Sequence, residues 1–149
     1  MRDKSFLIIK CLTNVMFFCG IPSTISVPFV LKWYGNINSY YDGVYYIPQT
    51  ALFLICGVFA CLIVYELRKM IKTIELGDSF VMANVTSLKR MGIYAFIIAV
   101  ACFVRIFLYP TPGAFALVIV FVLSGLLSNV LAGVFKQAVE YKLENDMTI

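Results

Sequence analysis

The sequence predicts an all-α integral membrane protein, a four-helix bundle with both termini on the cytoplasmic side. Three observations predict it: an apolar fraction too high for a water-soluble domain, four apolar runs of membrane-crossing length, and a one-sided distribution of Lys and Arg. Of the 149 residues, 62% are hydrophobic and 13% are charged. The hydrophobic figure counts nine Tyr, and exchanging them for the nine Gly leaves it unchanged. It therefore compares directly with the roughly 45–50% apolar and about 25% charged residues of a soluble domain. A chain of this length with so little polar surface is not an ordinary cytosolic enzyme, a disordered segment or a secreted disulfide scaffold.

The first run covers residues 6–31. It carries Lys10, Thr13 and Asn14, then Gly20, Pro22 and Pro28. Each proline removes a backbone donor, so a kink or break is expected there. A secretory leader is the rival reading of this run. Lys10 interrupts the apolar stretch and no small-x-small cleavage pattern follows, which favours a retained span. The second run covers 47–67, with Pro48 in a first turn that needs no donor. The third covers 91–109 and closes on Pro110, Thr111, Pro112 and Gly113. The fourth covers 114–135. About 20 helical residues cross the ~30 Å hydrocarbon core. Continuous rather than alternating apolar runs select helices over a barrel. The whole chain, 1–149, reads as a single membrane domain.

Orientation follows from the basic residues of the short connections. Arg2 and Lys4 precede the first run. Arg68, Lys69, Lys72, Lys89 and Arg90 lie between the second and third, and Lys136 and Lys142 follow the fourth. The other side has Lys32 alone. Both termini, the helical hairpin 66–90 and the tail 136–149 are therefore expected in the cytoplasm. In that hairpin Leu67, Met70, Ile71 and Ile74 recur at helical spacing, Gly77 is a stop signal, and Asp78 or Ser79 is placed to cap the next helix.

Chemistry is sparse. There is no His, hence no common general base or metal ligand of that type. Cys11, Cys19, Cys56, Cys61 and Cys102 all fall in apolar runs without the spacing of a zinc or redox pair, and read as small hydrophobes between helices. No phosphate loop, nucleophile elbow or metalloprotease motif occurs. The expectation is a non-enzymatic protein with no cofactor, no metal and no direct contact to nucleic acid.

Three groups of residues are singled out. The fourth run carries small or polar residues every four positions, Ser124, Ser128 and Ala132 beside Gly125, Asn129 and Gly133. They would let helices approach closely, with Asn129 bonding across, either within one chain or in a homo-oligomer. Gly57 with Cys61, and Ala95 with Ala99, are similar. The outer loop holds Trp33, Tyr34, Tyr40, Tyr41, Tyr45 and Tyr46, an aromatic belt at the headgroups or a site for an external peptide or lipid. Arg105, costly within the membrane, either snorkels outward or receives an anionic group of a ligand or Asp42. Lys10 is read as snorkelling to the cytoplasmic side. The cytoplasmic residues Arg68, Lys69, Lys72, Phe80, Asn84, Lys89, Arg90, Glu144, Asp146, Thr148 and Ile149 form the third group, a headgroup-binding or partner-binding face.

The stretch Gly77-Asp78-Ser79-Phe80, then Asn84, then Leu88-Lys89-Arg90-Met91-Gly92, and the tail from Leu143 through Glu144, Asn145, Asp146, Met147 and Thr148 to Ile149, are more specific. They resemble the YoaS-like family of small four-span bacterial membrane proteins, whose domain has no established function. Met147 stands where that family usually has Leu. The resemblance implies a bacterial cytoplasmic membrane. It also implies a partner, since genes of this family often lie beside one for a small helix-turn-helix regulator. A second reading is an immunity or stress protein that binds an antimicrobial peptide or lipid at the Tyr-rich loop.

Overall fold

The computed structural model describes residues 4–37 and 43–148. The chain forms four long helices: α1 Lys4–Gly35, α2 Tyr46–Glu75 preceded by a 3-10 turn at Gly43–Tyr45, α3 Met82–Leu108, and α4 Pro112–Thr148. No strand occurs among the described residues. The fold is an all-α four-helix bundle, and each helix is long and apolar enough to cross a membrane. The helices pack in chain order, α1 on α2, α2 on α3 and α3 on α4. Large apolar side chains such as Phe18, Ile25, Phe29, Phe107, Ile119 and Leu127 point outward all around the bundle. Such an exterior suits lipid and not water.

The elements extend beyond the apolar runs. α1 continues through both Pro22 and Pro28 without a break. The carbonyls that lose a backbone donor are those of Phe18 and Thr24, and hydroxyls add bonds to other carbonyls of the same stretch. Ser23 donates to the carbonyl of Cys19, Thr24 to Gly20 and Ser26 to Ser23, at 2.7–2.8 Å. The Tyr46 hydroxyl donates to the Pro28 carbonyl at 2.9 Å. Ser and Thr side chains commonly support proline-containing membrane helices. α2 ends at Glu75, and Gly77, at φ 89°, makes the reversal. The expected caps are corrected. Val81, in extended conformation and with no side-chain bond, precedes α3. Asp78 instead reaches Lys142 of α4 at 2.6 Å. α3 thus starts nine residues before the apolar run does, and α4 carries the tail as helix as far as Thr148.

Two close seams hold the bundle. In the first, Gly20 and Thr24 of α1 meet Gly57 and Cys61 of α2. A Cβ on Gly57 would lie 2.8 Å from the Thr24 side chain, and one on Gly20 3.3 Å from Cys61 Sγ. In the second, α4 meets α3 through Ala114, Val118, Phe121, Gly125, Ser128, Ala132, Phe135 and Val139, each buried or half-buried. Their alternating three- and four-residue steps are the a and d positions of a heptad, so one narrow stripe faces α3 along the helix. Gly92 of α3 sits against the Gly125 carbonyl and Ser128. Lipid gives helices no hydrophobic reason to associate, so backbone approach of this kind supplies the contact. Ser124, Asn129 and Gly133 flank the stripe and are exposed. The expected bond from Asn129 to another helix is not made among the described residues, because the heptad centres the interface on Gly125, Ser128 and Ala132. Cys11 and Cys19 also face outward rather than between helices.

Candidate functional site

Two regions concentrate polar or chemically distinctive groups, one at each end of the bundle. The first lies at the end that holds both termini and the α2–α3 turn. Lys10 of α1 donates to Glu75 of α2 at 2.7 Å, and Arg68 Nε of α2 donates to Asn14 Oδ1 of α1 at 3.0 Å. The Arg68 guanidinium also lies over the Phe17 ring, 4.6 Å from its centroid. Lys10 therefore pairs with a carboxylate while its side chain remains partly in solvent. Glu66, 3% exposed, faces Lys69 Nζ at 3.2 Å and Arg90 of α3 at 3.6 Å. Replacement by Gln keeps the volume and leaves two cations without their counter-charge. Because Lys69 and Arg90 are half in solvent, the expected loss is about 1 kcal/mol, measured as a lowered unfolding midpoint in detergent.

Asn84 closes the turn. It is 1% exposed, and its Nδ2 donates to Thr73 Oγ1 at 2.8 Å and to the Ser79 carbonyl at 2.7 Å. Thr73 in turn donates to the Met70 carbonyl. Below it Val85, Leu88, Ala132 and Val139 form a buried cluster with Met70 and Phe135. The Phe80 ring stands edge-on to Phe135 at 5.4 Å.

This geometry divides the cytoplasmic group of residues picked out by sequence. Arg68, Arg90 and Asn84 are engaged in contacts between helices, Phe80 of the α2–α3 turn packs on Phe135 of α4, and Lys69 pairs with Glu66 of its own helix. Lys72 and Lys89 are exposed, as are Glu144 and Asp146 far along α4. Thr148 ends the helix, and Ile149 lies outside the described residues. Residues 140–147 of α4 are exposed. Glu140, Leu143, Glu144 and Met147 recur at intervals of three and four and share one face, all exposed. Lys142, the cation of this stretch, is tied to Asp78.

The second region lies at the opposite end, in a cavity of about 370 Å³ to which all four helices contribute. Ser23, Thr24 and Val27 come from α1, Phe53, Cys56 and Gly57 from α2, Ala101, Cys102 and Arg105 from α3, and Ala114, Leu117 and Phe121 from α4. The Arg105 guanidinium lies over the Phe53 ring, 5.0 Å from its centroid. Arg105 is thus turned into the bundle. Tyr46 is committed to the Pro28 carbonyl and Tyr45 is exposed in the turn before α2. Tyr40, Tyr41 and Asp42 lie outside the described residues. Sequence reasoning missed the cavity. Phe53 and Ala101 carry no signal of their own, and the heptad on α4, which was legible, only shows which face Ala114 and Phe121 present. Among the described residues no three His, Cys, Asp or Glu side chains converge on a point where a metal could sit.

Four helices, each long and apolar enough to cross a bilayer and with an apolar exterior, define a multi-span membrane protein. Residues 33–149 match the model of the family described as "Protein of unknown function (DUF2975)", and the chain belongs to that family. The match covers the α1–α2 connection and α2 as well as the segment from residue 77 onward, and it is consistent with the YoaS-like resemblance. Comparison with curated proteins and with solved structures found no match.

Proposed function

We propose that the protein is a non-enzymatic regulator of the bacterial cytoplasmic membrane, both termini inside, that holds a small basic helix-turn-helix DNA-binding protein at the free end of α4. The observation that carries this reading is the exposed face of Glu140, Leu143, Glu144 and Met147. Two carboxylates attract a basic surface, and two apolar side chains between them give a desolvated centre. An amphipathic helix presented beyond the membrane is a recurrent recognition element. From residue 140 onward that face carries two carboxylates and no cation, since Lys142 lies on the opposite side paired with Asp78 and Lys136 is one turn earlier. The excess of Lys and Arg near this end supports its cytoplasmic placement. The gene neighbourhood implied by the YoaS-like resemblance supports the class of partner.

The test uses the full-length protein, tagged at its N-terminus and isolated from native cells in mild detergent. Wild type is expected to retain a small DNA-binding protein. The double charge reversal Glu140→Lys/Glu144→Lys is expected to lose it, with at least tenfold weaker retention, while Tyr45→Ala leaves it in place. Identical soluble proteins on wild type and reversal would overturn the reading.

A further inference from the structure

We propose that the outward-facing groove between α1 and α2 holds an anionic phospholipid, its phosphate between Arg68 and Lys72 and one acyl chain along Phe17, Ile21 and Leu62. This goes beyond the tethering role and uses other helices. The groove has two parts that meet at Tyr65. The polar part, about 430 Å³, is lined by Lys10 and Asn14 of α1 and by Arg68, Lys69 and Lys72 of α2. The apolar part, about 410 Å³, continues past Phe17 and Ile21 of α1 and Val58 and Leu62 of α2. Each volume falls in the range of small-ligand sites, roughly 300–1,000 Å³. On α1, Lys10, Asn14, Phe17 and Ile21 follow one another at intervals of three or four. On α2, Val58, Leu62, Tyr65, Lys69 and Lys72 do the same. Each set therefore lies along one helix face, and the two parts form one continuous groove.

The charges set the kind of ligand. Lys10 is paired with Glu75 at 2.7 Å, and Lys69 with Glu66 at 3.2 Å. Arg68 and Lys72, one turn apart on α2, are in no ion pair among the described residues. The Arg68 Nε bond to Asn14 and the Phe17 and Phe18 rings, centred 4.6 and 5.3 Å from the guanidinium carbon, hold the guanidinium in place. Its Nη groups donate to no oxygen among the described residues. A fixed guanidinium fork beside an exposed ammonium suits a phosphate. Two cations favour a lipid of net negative charge, because a choline headgroup would bring a third cation to them. Depth sets the source of the phosphate. Arg68 directly follows the apolar run 47–67, where the headgroup layer begins. The ten residues from Val58 to Arg68 span about 15 Å of helix, half of the ~30 Å hydrocarbon core. The apolar part thus has the reach of one leaflet, where acyl chains are the available solute. A soluble phosphate would leave it unfilled.

The test is photolabelling of the full-length protein in phosphatidylcholine nanodiscs. The probe is phosphatidylglycerol with a diazirine on one acyl chain, and the sites are read by peptide mass spectrometry. Label is expected on both walls of the groove, at Ile25 and Leu62, and is competed by unlabelled phosphatidylglycerol. Phosphatidylcholine with the same photoreactive chain is expected to label these positions about tenfold less. Lys72 is exposed, so Lys72→Gln leaves the packing intact and should cut phosphatidylglycerol labelling about fivefold. Arg68→Gln/Lys72→Gln should remove the preference between the lipids. Lys89→Gln, an exposed cation of α3 at the same end, should change nothing. Ile21→Trp, which fills the apolar part and leaves the charges, should lower labelling by either lipid. Label spread evenly over all four helices, equal labelling by the two lipids, or equal losses from Lys89→Gln and Lys72→Gln would overturn the proposal. Competition by soluble glycerol 3-phosphate as strong as that by phosphatidylglycerol would also overturn it and assign the site to a free phosphate. None of these variants alters α4, so this proposal and the tethering role fail separately.

Discussion

Gly92→Leu should unfold the α3–α4 pair more readily than any substitution on the lipid-facing surface. The new Cβ alone would lie 3.2 Å from the Gly125 carbonyl oxygen and 3.5 Å from Ser128 Cβ, and three further carbons would have to enter the same space. The obstacle is backbone, which cannot swing aside as a side chain can, so α4 must move away from α3. The heptad stripe separates with it, and Ala132 and Val139 lose their cover. Overpacking of this kind costs on the order of 3 kcal/mol. Gly133→Leu is the control: nothing lies within 4 Å of its would-be Cβ, so stability should change by no more than about 0.5 kcal/mol. Thermal unfolding of both variants in the same detergent compares them directly. Equal midpoints would place the helix interface elsewhere.

The second large effect is expected at Asn84. Asn84→Leu keeps the volume and removes both donations; it strands the Ser79 carbonyl and takes the donor from the Thr73 hydroxyl, which keeps its bond to the Met70 carbonyl. A stranded polar group costs about 1–3 kcal/mol, so a loss near 2 kcal/mol is expected. Because these bonds tie the start of α3 to α2 and to the turn between them, the loss should be local before it is global. Amide exchange over residues 76–82 should accelerate in the variant while the α1–α2 seam stays protected. A cycle with Thr73→Val separates the shared bond from simple packing. The double variant should lose less than the two single losses added together, because each removes the other's partner. Additive losses would mean that Thr73 and Asn84 act independently.

Much of the fold was legible because membrane crossing is dictated by length and apolarity, which single sequences display directly. What was not legible is instructive. Pro22 and Pro28 signalled a break, yet α1 runs through both, with neighbouring Ser and Thr hydroxyls and the distant Tyr46 adding bonds to carbonyls of the same stretch. The Ser and Thr signal was local and readable. The contribution of Tyr46, eighteen residues from Pro28, needed the tertiary structure. Asp78 looked like a cap because caps are judged from nearby residues, whereas its partner Lys142 is sixty-four positions away. Asn129 was placed on the interface because small residues recur every four positions on two adjacent faces. The three- and four-residue alternation from Ala114 to Val139 decides between those faces. The acidic tail was visible as composition, but its continuation as one exposed helical face depends on α4 not ending at the membrane. The cavity at Arg105 is built from residues on four helices that are individually ordinary, so no linear pattern announces it.

α4 also has a mechanical meaning. Its 37 residues make a rod about 55 Å long, against a hydrocarbon thickness of ~30 Å, with no proline after its first residue. One end, at Ala114 and Leu117, forms a wall of the cavity. The other end carries Glu140 and Glu144 beyond the last buried contact at Val139. Between them lies the tight crossing of Gly92 and Gly125. Because the stripe from Ala114 to Val139 seats this rod on α3 along most of its length, the pair forms one stiff mast, and the acidic face stands on its projecting tip.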